Sequence, residues 1–288
     1  MEQTLTPLVQ RVRAGDLELS VREWPGGGRA FLLVHGLASN AKTWDEVSRY
    51  LNAAGHRVIA VDQRGHGLSD KPDGGYGFED VTSDLRALIE TMGLQRLLLA
   101  GQSWGGNVVL HFAARYPDAV SGLVLVDGGF IDLSGREGAT WDDTAERMRP
   151  PNLLGTPRPQ MIERFHTYHP GWGDEQIEMQ MGNYETLEDG TIRPWLTLER
   201  HMAILRAIWD DPPSPLYRRV DAPVLVALAD SGLDERQRVR EETAADAASK
   251  LRRAEVKRFD GAPHDIHVDR PDELADWILD ALSRGFFD

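Results

Sequence analysis

Five short apolar runs constrain this chain most: Ala30 to Val34, Arg57 to Val61, Arg96 to Ala100, Gly122 to Val126 and Pro223 to Leu228. Runs this short and this continuous become strands buried on both faces, whereas a sheet with one wet face would alternate apolar and polar residues. Between them lie stretches with helical period. Trp44, Val47 and Leu51 share one face of Thr43 to Ala54, and Val81, Leu85, Leu88 and Met92 share one face of Phe78 to Met92, which Gly93 closes. Strand and helix in alternation call for a mostly parallel sheet with helices on both faces. Val9 to Val12 and Leu17 to Trp24 add an antiparallel pair at the start. Near the end, a helix over Asp234 to Ala248, a strand over Ala254 to Phe259 and a helix from Pro271 complete eight strands.

The alternation stops from Phe130 to about Tyr217, where the pattern gives helical patches and no strand. That region holds Trp141, Trp172, Trp195 and Trp209, four of the eight tryptophans. The sequence therefore divides into an α/β core, residues 1–129 and 218–288, and a helical cap, residues 130–217, inserted after the sixth strand. A piece inserted at the C-terminal edge of a parallel sheet lies where such sheets bind ligands. With 288 residues, 41% of them hydrophobic, the chain is long enough for one full core plus such a subdomain.

The net charge of −14 argues against nucleic acid as a partner, and no basic cluster stands out along the chain. There is no cysteine, which removes disulfides, thiolate metal sites and a thiol nucleophile together. Met1 to Ala14 has no apolar core of signal-peptide length and no window approaches a membrane span, so a soluble, cytoplasmic protein is expected, without a membrane partner.

One corner of the pattern carries chemistry. Gly101-Gln102-Ser103-Trp104-Gly105 stands between a buried strand and a helix whose face is set by Val109, Phe112, Ala113 and Tyr116. A serine at so tight a corner has a strained backbone, and its flanking glycines avoid collision with the next turn. The hydroxyl is pushed out above the sheet edge, over a helix N-terminus whose free N–H groups suit an oxyanion.

With His35-Gly36 after the third strand, Asp62-x-Arg64-Gly65-x-Gly67-x-Ser69 after the fourth and Gly261-x-x-His264 before the last helix, the chain resembles the α/β-hydrolase superfamily. The resemblance covers the core and is weak across the insertion, which is the variable cap of that superfamily. It implies that Ser103 is the nucleophile and that His264, behind a glycine after the last strand, is its base. His267, three residues on, is the weaker candidate. His35 and His66 are expected to hold loops together by hydrogen bonds.

The third member is less direct. The family mostly carries its acid just after the strand that ends here at Leu228-Ala229, about where Ser231 and Gly232 stand. Asp230 comes slightly early and Asp234 slightly late. A second family arrangement puts the acid after the preceding strand, and Asp127 follows Val126 there, 24 residues beyond Ser103. Asp127 is favoured, with Asp230 as the alternative. The same resemblance implies an oxyanion hole from the backbone N–H groups of Leu37 and Trp104.

In the cap, His201, Ile204, Leu205 and Ile208 share a helical face next to Trp209. His201 and Trp209 are candidate substrate contacts, although ordinary helix packing accounts for them as well. Asp142, Asp143 and Glu146 read as a solvated helix start rather than a metal site, and neither a P-loop nor a dinucleotide fingerprint is present. The expected protein is a serine hydrolase that needs no cofactor or metal and acts on a small-molecule carboxylic ester or lactone. A cap rich in Trp and Met suits hydrophobic substrates, and the protein is expected as a monomer or small homo-oligomer. C–C bond hydrolysis and proline iminopeptidase action are the enzymatic alternatives. A lyase or a non-catalytic ligand receptor on the same fold is the alternative of another class.

Overall fold

The computed structural model describes residues 6–135, 137–230, 232 and 235–288. Ser231 and Asp234, two of the positions weighed for the acid, lie outside the described residues.

The chain runs β1 (Leu8–Ala14), β2 (Leu17–Trp24), β3 (Ala30–Val34), α1 (Asp45–Ala53), β4 (Arg57–Val61), α2 (Phe78–Thr91), β5 (Leu97–Gln102), α3 (Trp104–Arg115) and β6 (Val120–Val126). It continues through α4 (Trp141–Met148), β7 (Thr156–Pro157), α5 (Arg158–Tyr168), α6 (Asp174–Met181), β8 (Tyr184–Thr186), β9 (Thr191–Pro194) and α7 (Leu198–Asp210). It closes with β10 (Val224–Ala229), α8 (Glu235–Lys250), β11 (Ala254–Phe259), α9 (Ile266–Asp269) and α10 (Pro271–Ser283).

Eight of the strands form one sheet in the order β1-β2-β4-β3-β5-β6-β10-β11. Only the β1–β2 and β2–β4 pairings are antiparallel. The apolar runs behave as their composition dictates. Leu97 and Leu99 of β5 point into one core layer, Leu98 and Ala100 into the layer on the opposite face, and all four are fully buried. Phe31 and Leu33 of β3 take the second face and Leu32 and Val34 the first, so the pleat feeds both cores. Each large side chain buried in this way contributes roughly 1.5–3 kcal/mol.

The segment between β6 and β10 differs from the reading as helices alone. It carries α4 to α7, as the periodicity predicts, and also a three-stranded antiparallel sheet in the order β7-β9-β8. Its strands are two to four residues long. Alternation over so few residues gives no detectable period. The start of this segment is tied to the core by Asn107 of α3. The Asn107 Oδ1 accepts from Gly129 N (2.9 Å) and Ile131 N (3.3 Å), while its Nδ2 donates to Ile131 O (2.8 Å).

Candidate active site

The parallel strands end together on one edge of the sheet, and the site is built from the loops that leave them. β5 stops at Gln102 and α3 starts at Trp104, so Ser103 alone makes the turn. Its φ of 52° and ψ of −123° lie outside the ordinary regions, at a typical cost of about 1–3 kcal/mol that the surroundings must hold. They do so by pairing Ser103 N with Val126 O (2.9 Å) and Ser103 O with Gly106 N (2.9 Å). The two motif glycines are sterically required. A Cβ on Gly101 would stand 2.2 Å from the Gly105 carbonyl oxygen, and one on Gly105 would stand 2.5 Å from the carbonyls of Val34 and His35. That second approach presses the helix N-terminus against the end of β3.

The loop after β3 therefore lies beside the serine. A Cβ on Gly36 would stand 3.1 Å from Ser103 Cβ and 2.4 Å from Gln102 Oε1. Leu37 follows Gly36 on this loop and Trp104 follows Ser103, so both expected oxyanion donors flank the seryl position. Two buried histidines fix the loop. His35 Nε2 accepts from Gln63 N (3.0 Å) and its Nδ1 meets Gly36 O (2.7 Å). His66 Nε2 accepts from Ala38 N (3.3 Å) and its Nδ1 meets Arg64 O (2.9 Å). Burial pushes the His35 imidazole down to about 4 and that of His66 to about 3, so both stay neutral and can accept a backbone proton.

His264 stands on the loop between β11 and α9. Gln102, next to the serine, anchors that loop by donating from Nε2 to Asp265 Oδ1 (3.1 Å) and to His264 O (3.5 Å). The His264 ring presents Nδ1 to Asp127 Oδ2 at 2.6 Å. The Asp127 carboxylate is 2% exposed, whereas the imidazole is about half exposed, at 47%. Asp127 sits just past β6 with φ 43°, its N–H on Ala227 O (2.8 Å) and its Oδ1 accepting from Ala229 N (3.2 Å), 3.7 Å from Arg240 Nε. No hydrogen bond joins Ser103 Oγ to His264 Nε2 here; such contacts are often long before substrate binds and tighten when it does.

Asp230 is turned elsewhere. Its Oδ1 accepts from Gly232 N (3.3 Å) and its Oδ2 faces Arg258 Nε at 3.6 Å. His267 is fully buried 4.6 Å from the Trp44 ring, and burial lowers its pKa to about 3, so it fills the core beneath the loop. Among the described acids and histidines weighed, Asp127 and His264 are the pair brought together.

Burial alone would lower the His264 pKa. The hydrogen bond and charge of Asp127, with the charge of Asp265, outweigh it and hold the imidazole above the usual 6.5. A general base must be unprotonated, so activity is expected to fall as pH drops through this raised pKa. The acid limb of kcat/KM should therefore have its midpoint above 6.5, and Asp127→Ala should move any residual limb downward. A pH–rate profile of both proteins checks the sign.

A cavity of about 1050 Å³ adjoins the loop that follows β3. Its floor includes Ala38 and His66, whose ring stacks 5.7 Å from Trp104, and the wall from the segment between β6 and β10 includes His201, Trp195, Leu153 and Met161. Neither Ser103 nor His264 lines it, so it meets the site through the loop that carries Leu37. His201 is thus a cavity residue, kept neutral by burial that lowers its pKa. Trp209 is not part of that wall. Its ring packs edge-on against Trp141 at 6.0 Å, and Trp195 is the wall's tryptophan. Thr140 caps α4 through Asp143 N (3.2 Å), so Asp142 and Asp143 are a helix start as read. Among the described residues no His, Asp and Glu side chains group to hold a metal ion.

A family model described as the alpha/beta hydrolase fold matches residues 29–271. The chain belongs to the α/β-hydrolase family. The 2-(acetamidomethylene)succinate hydrolase of Mesorhizobium japonicum is 31% identical over 226 residues, 77% of each chain. The non-heme chloroperoxidase of Streptomyces lividans is 26% identical over 268 residues, 88% of this chain and 91% of that one. Among solved structures, E-2-(acetamidomethylene)succinate hydrolase superposes with a TM-score of 0.78 at 26% identity, covering 96% of this chain and 99% of the other. The thioesterase domain from the curacin biosynthetic pathway, at 19% identity and a TM-score of 0.77, shares the fold over 95% of this α/β-hydrolase.

Sequence reasoning passed over two supporting residues of this α/β-hydrolase, Gln102 and Asn107. Both are polar positions within otherwise apolar stretches, which is the one signal that could have marked them, since a buried amide is retained only where it is hydrogen-bonded.

Proposed function

We propose that this α/β-hydrolase is a serine hydrolase that cleaves a small-molecule acyl compound, a carboxylic ester or lactone, through an acyl-Ser103 intermediate. The observation that carries the reading is the 2.6 Å contact of His264 Nδ1 with the buried Asp127 carboxylate, on the loop that Gln102 ties to the serine corner. Ser103 Oγ attacks the acyl carbon as His264 Nε2 takes its proton, and Asp127 keeps Nδ1 protonated and stabilises the imidazolium. The N–H groups of Leu37 and Trp104 hold the developing alkoxide, each donor being typically worth about 2.7–4 kcal/mol. His264 returns the proton to the leaving group, and a water activated by the same imidazole releases the acid. Residues 130–217 act as the cap over this reaction.

A second reading, hydrolysis of a bond other than an ester, draws support from the Mesorhizobium relative, whose named substrate is an acetamido compound rather than an ester. The same acyl-serine would form, with an amine or a carbon leaving group. The test combines p-nitrophenyl esters from acetate to decanoate with matched p-nitroanilides, alongside peptide mapping after fluorophosphonate treatment. Turnover of the esters with the phosphonyl group on Ser103 is the expected result. Anilide turnover exceeding ester turnover would select the second reading. No adduct at Ser103 and no turnover would overturn both.

A further inference from the structure

The cavity beside the oxyanion loop has a composition unlike the rest of the molecule. The chain has 46 acidic against 32 basic side chains. The cavity wall nevertheless includes Lys71, Arg149, Arg164, Arg193 and Arg200 and no aspartate or glutamate. Its two histidines, His66 and His201, are held neutral by burial, so the excess of charge comes from the arginines and the lysine.

Three of these cations are already engaged. Arg193 Nε donates to Glu185 Oε2 at 2.8 Å. Lys71 Nζ donates to the carbonyls of Gly67 (2.8 Å) and Ser69 (2.7 Å) and stands 4.5 Å over the Trp195 ring. Arg200 donates to the carbonyls of Lys71 (2.8 Å) and Pro72 (3.1 Å) and lies 3.3 Å from Asp73. The guanidinium groups of Arg149, just past α4, and Arg164, on α5, have neither an ion pair nor a hydrogen bond among the described residues. Both face the same cavity, from the cap side, while Ala38 and His66 floor it beside the oxyanion loop. A guanidinium is a planar fork of donors that matches a carboxylate with two parallel bonds. Two unpaired forks in a concave, partly apolar site of an acidic protein, with no carboxylate of the protein's own to meet them, await an anionic ligand group.

We propose that the substrate carries a free carboxylate on its acyl side, bound by Arg149 and Arg164 while its acyl carbon reaches Ser103. This rests on the acyl-serine reading and narrows it, and it replaces the expectation of a purely hydrophobic ester. The apolar wall, with Leu153, Met161 and Trp195, then packs the carbon chain between the two ends.

The test compares mono-4-nitrophenyl succinate, which is anionic, with 4-nitrophenyl butyrate, a neutral ester of the same acyl length. The anionic ester should have a kcat/KM about tenfold or more above the neutral one, carried mainly by KM. The double variant Arg149→Gln/Arg164→Gln should reduce that ratio about tenfold, and a fold defect would lower both esters together rather than the ratio. A direct arm titrates Ser103→Ala with succinate and with succinamide by calorimetry. Tighter binding of succinate, lost in the arginine variants, is expected. Arginine-dependent succinate binding with no turnover of either ester and no fluorophosphonate adduct at Ser103 would uphold the carboxylate site and refute the acyl-serine reading. A ratio at or below one, or succinate bound no better than succinamide, would overturn the proposal. Equal binding of inorganic phosphate would overturn its restriction to carboxylates.

Discussion

Ser103→Ala is expected to lower kcat by about 10⁵-fold or more on any substrate the wild type turns over, because a triad acts as a unit and the oxyanion donors alone retain only a small residue of catalysis. Its effect on stability should be slight. The Oγ makes no hydrogen bond among the described residues, and alanine at φ 52° costs what serine does, since both carry a Cβ. The check pairs steady-state kinetics with a melting curve. Residual turnover above a hundredth of wild type would mean that the oxygen of Ser103 does not attack, and a collapsed Tm would mean that the hydroxyl holds the corner.

The second large effect separates the two acids. Asp127→Asn should cost on the order of 10⁴-fold in kcat, and Asp230→Asn less than about threefold. The reason is tautomeric. Ala229 N donates to one oxygen of residue 127 and therefore selects an acceptor there, which turns the new amide N–H₂ toward His264. The imidazole must then accept at Nδ1 and carry its proton on Nε2, the nitrogen that should take the seryl proton. Asp230 meets Gly232 and Arg258 instead, and its charge leaves His264 alone. Kinetics of both variants decide it, and a larger loss at residue 230 would return the acid to the strand where most relatives carry it.

What could be read ahead of the structure follows a simple rule about range. The buried strands are legible because each is a contiguous apolar run, and the corner at Ser103 because strand, glycines and helix follow one another directly. Asp127 is legible from the strand end it follows and from its spacing to the serine, although its neutral capping role in other chains left Asp230 open. The three short strands between β6 and β10 escape because Thr156–Pro157 and Tyr184–Thr186 are too brief for any period to register. The cationic wall escapes for a different reason. Lys71, Arg149, Arg164, Arg193 and Arg200 are spread over 130 positions and converge only through the fold, so a search for basic clusters along the chain finds none. Trp209 follows the helical face that carries His201, and its ring meets Trp141.

The Asn107 clamp has a consequence for building chimeras. Asn107 belongs to the helix that begins just after Ser103, yet three of its bonds hold Gly129 and Ile131, where the chain leaves the sheet edge two residues past Asp127. The start of the segment between β6 and β10 is thus wired to the helix after Ser103 and to Asp127 at the same time. A graft that exchanges this segment between relatives should cross over after Ile131, because a junction at the end of β6 would replace the stretch that Asn107 holds and, with it, the support beside Asp127.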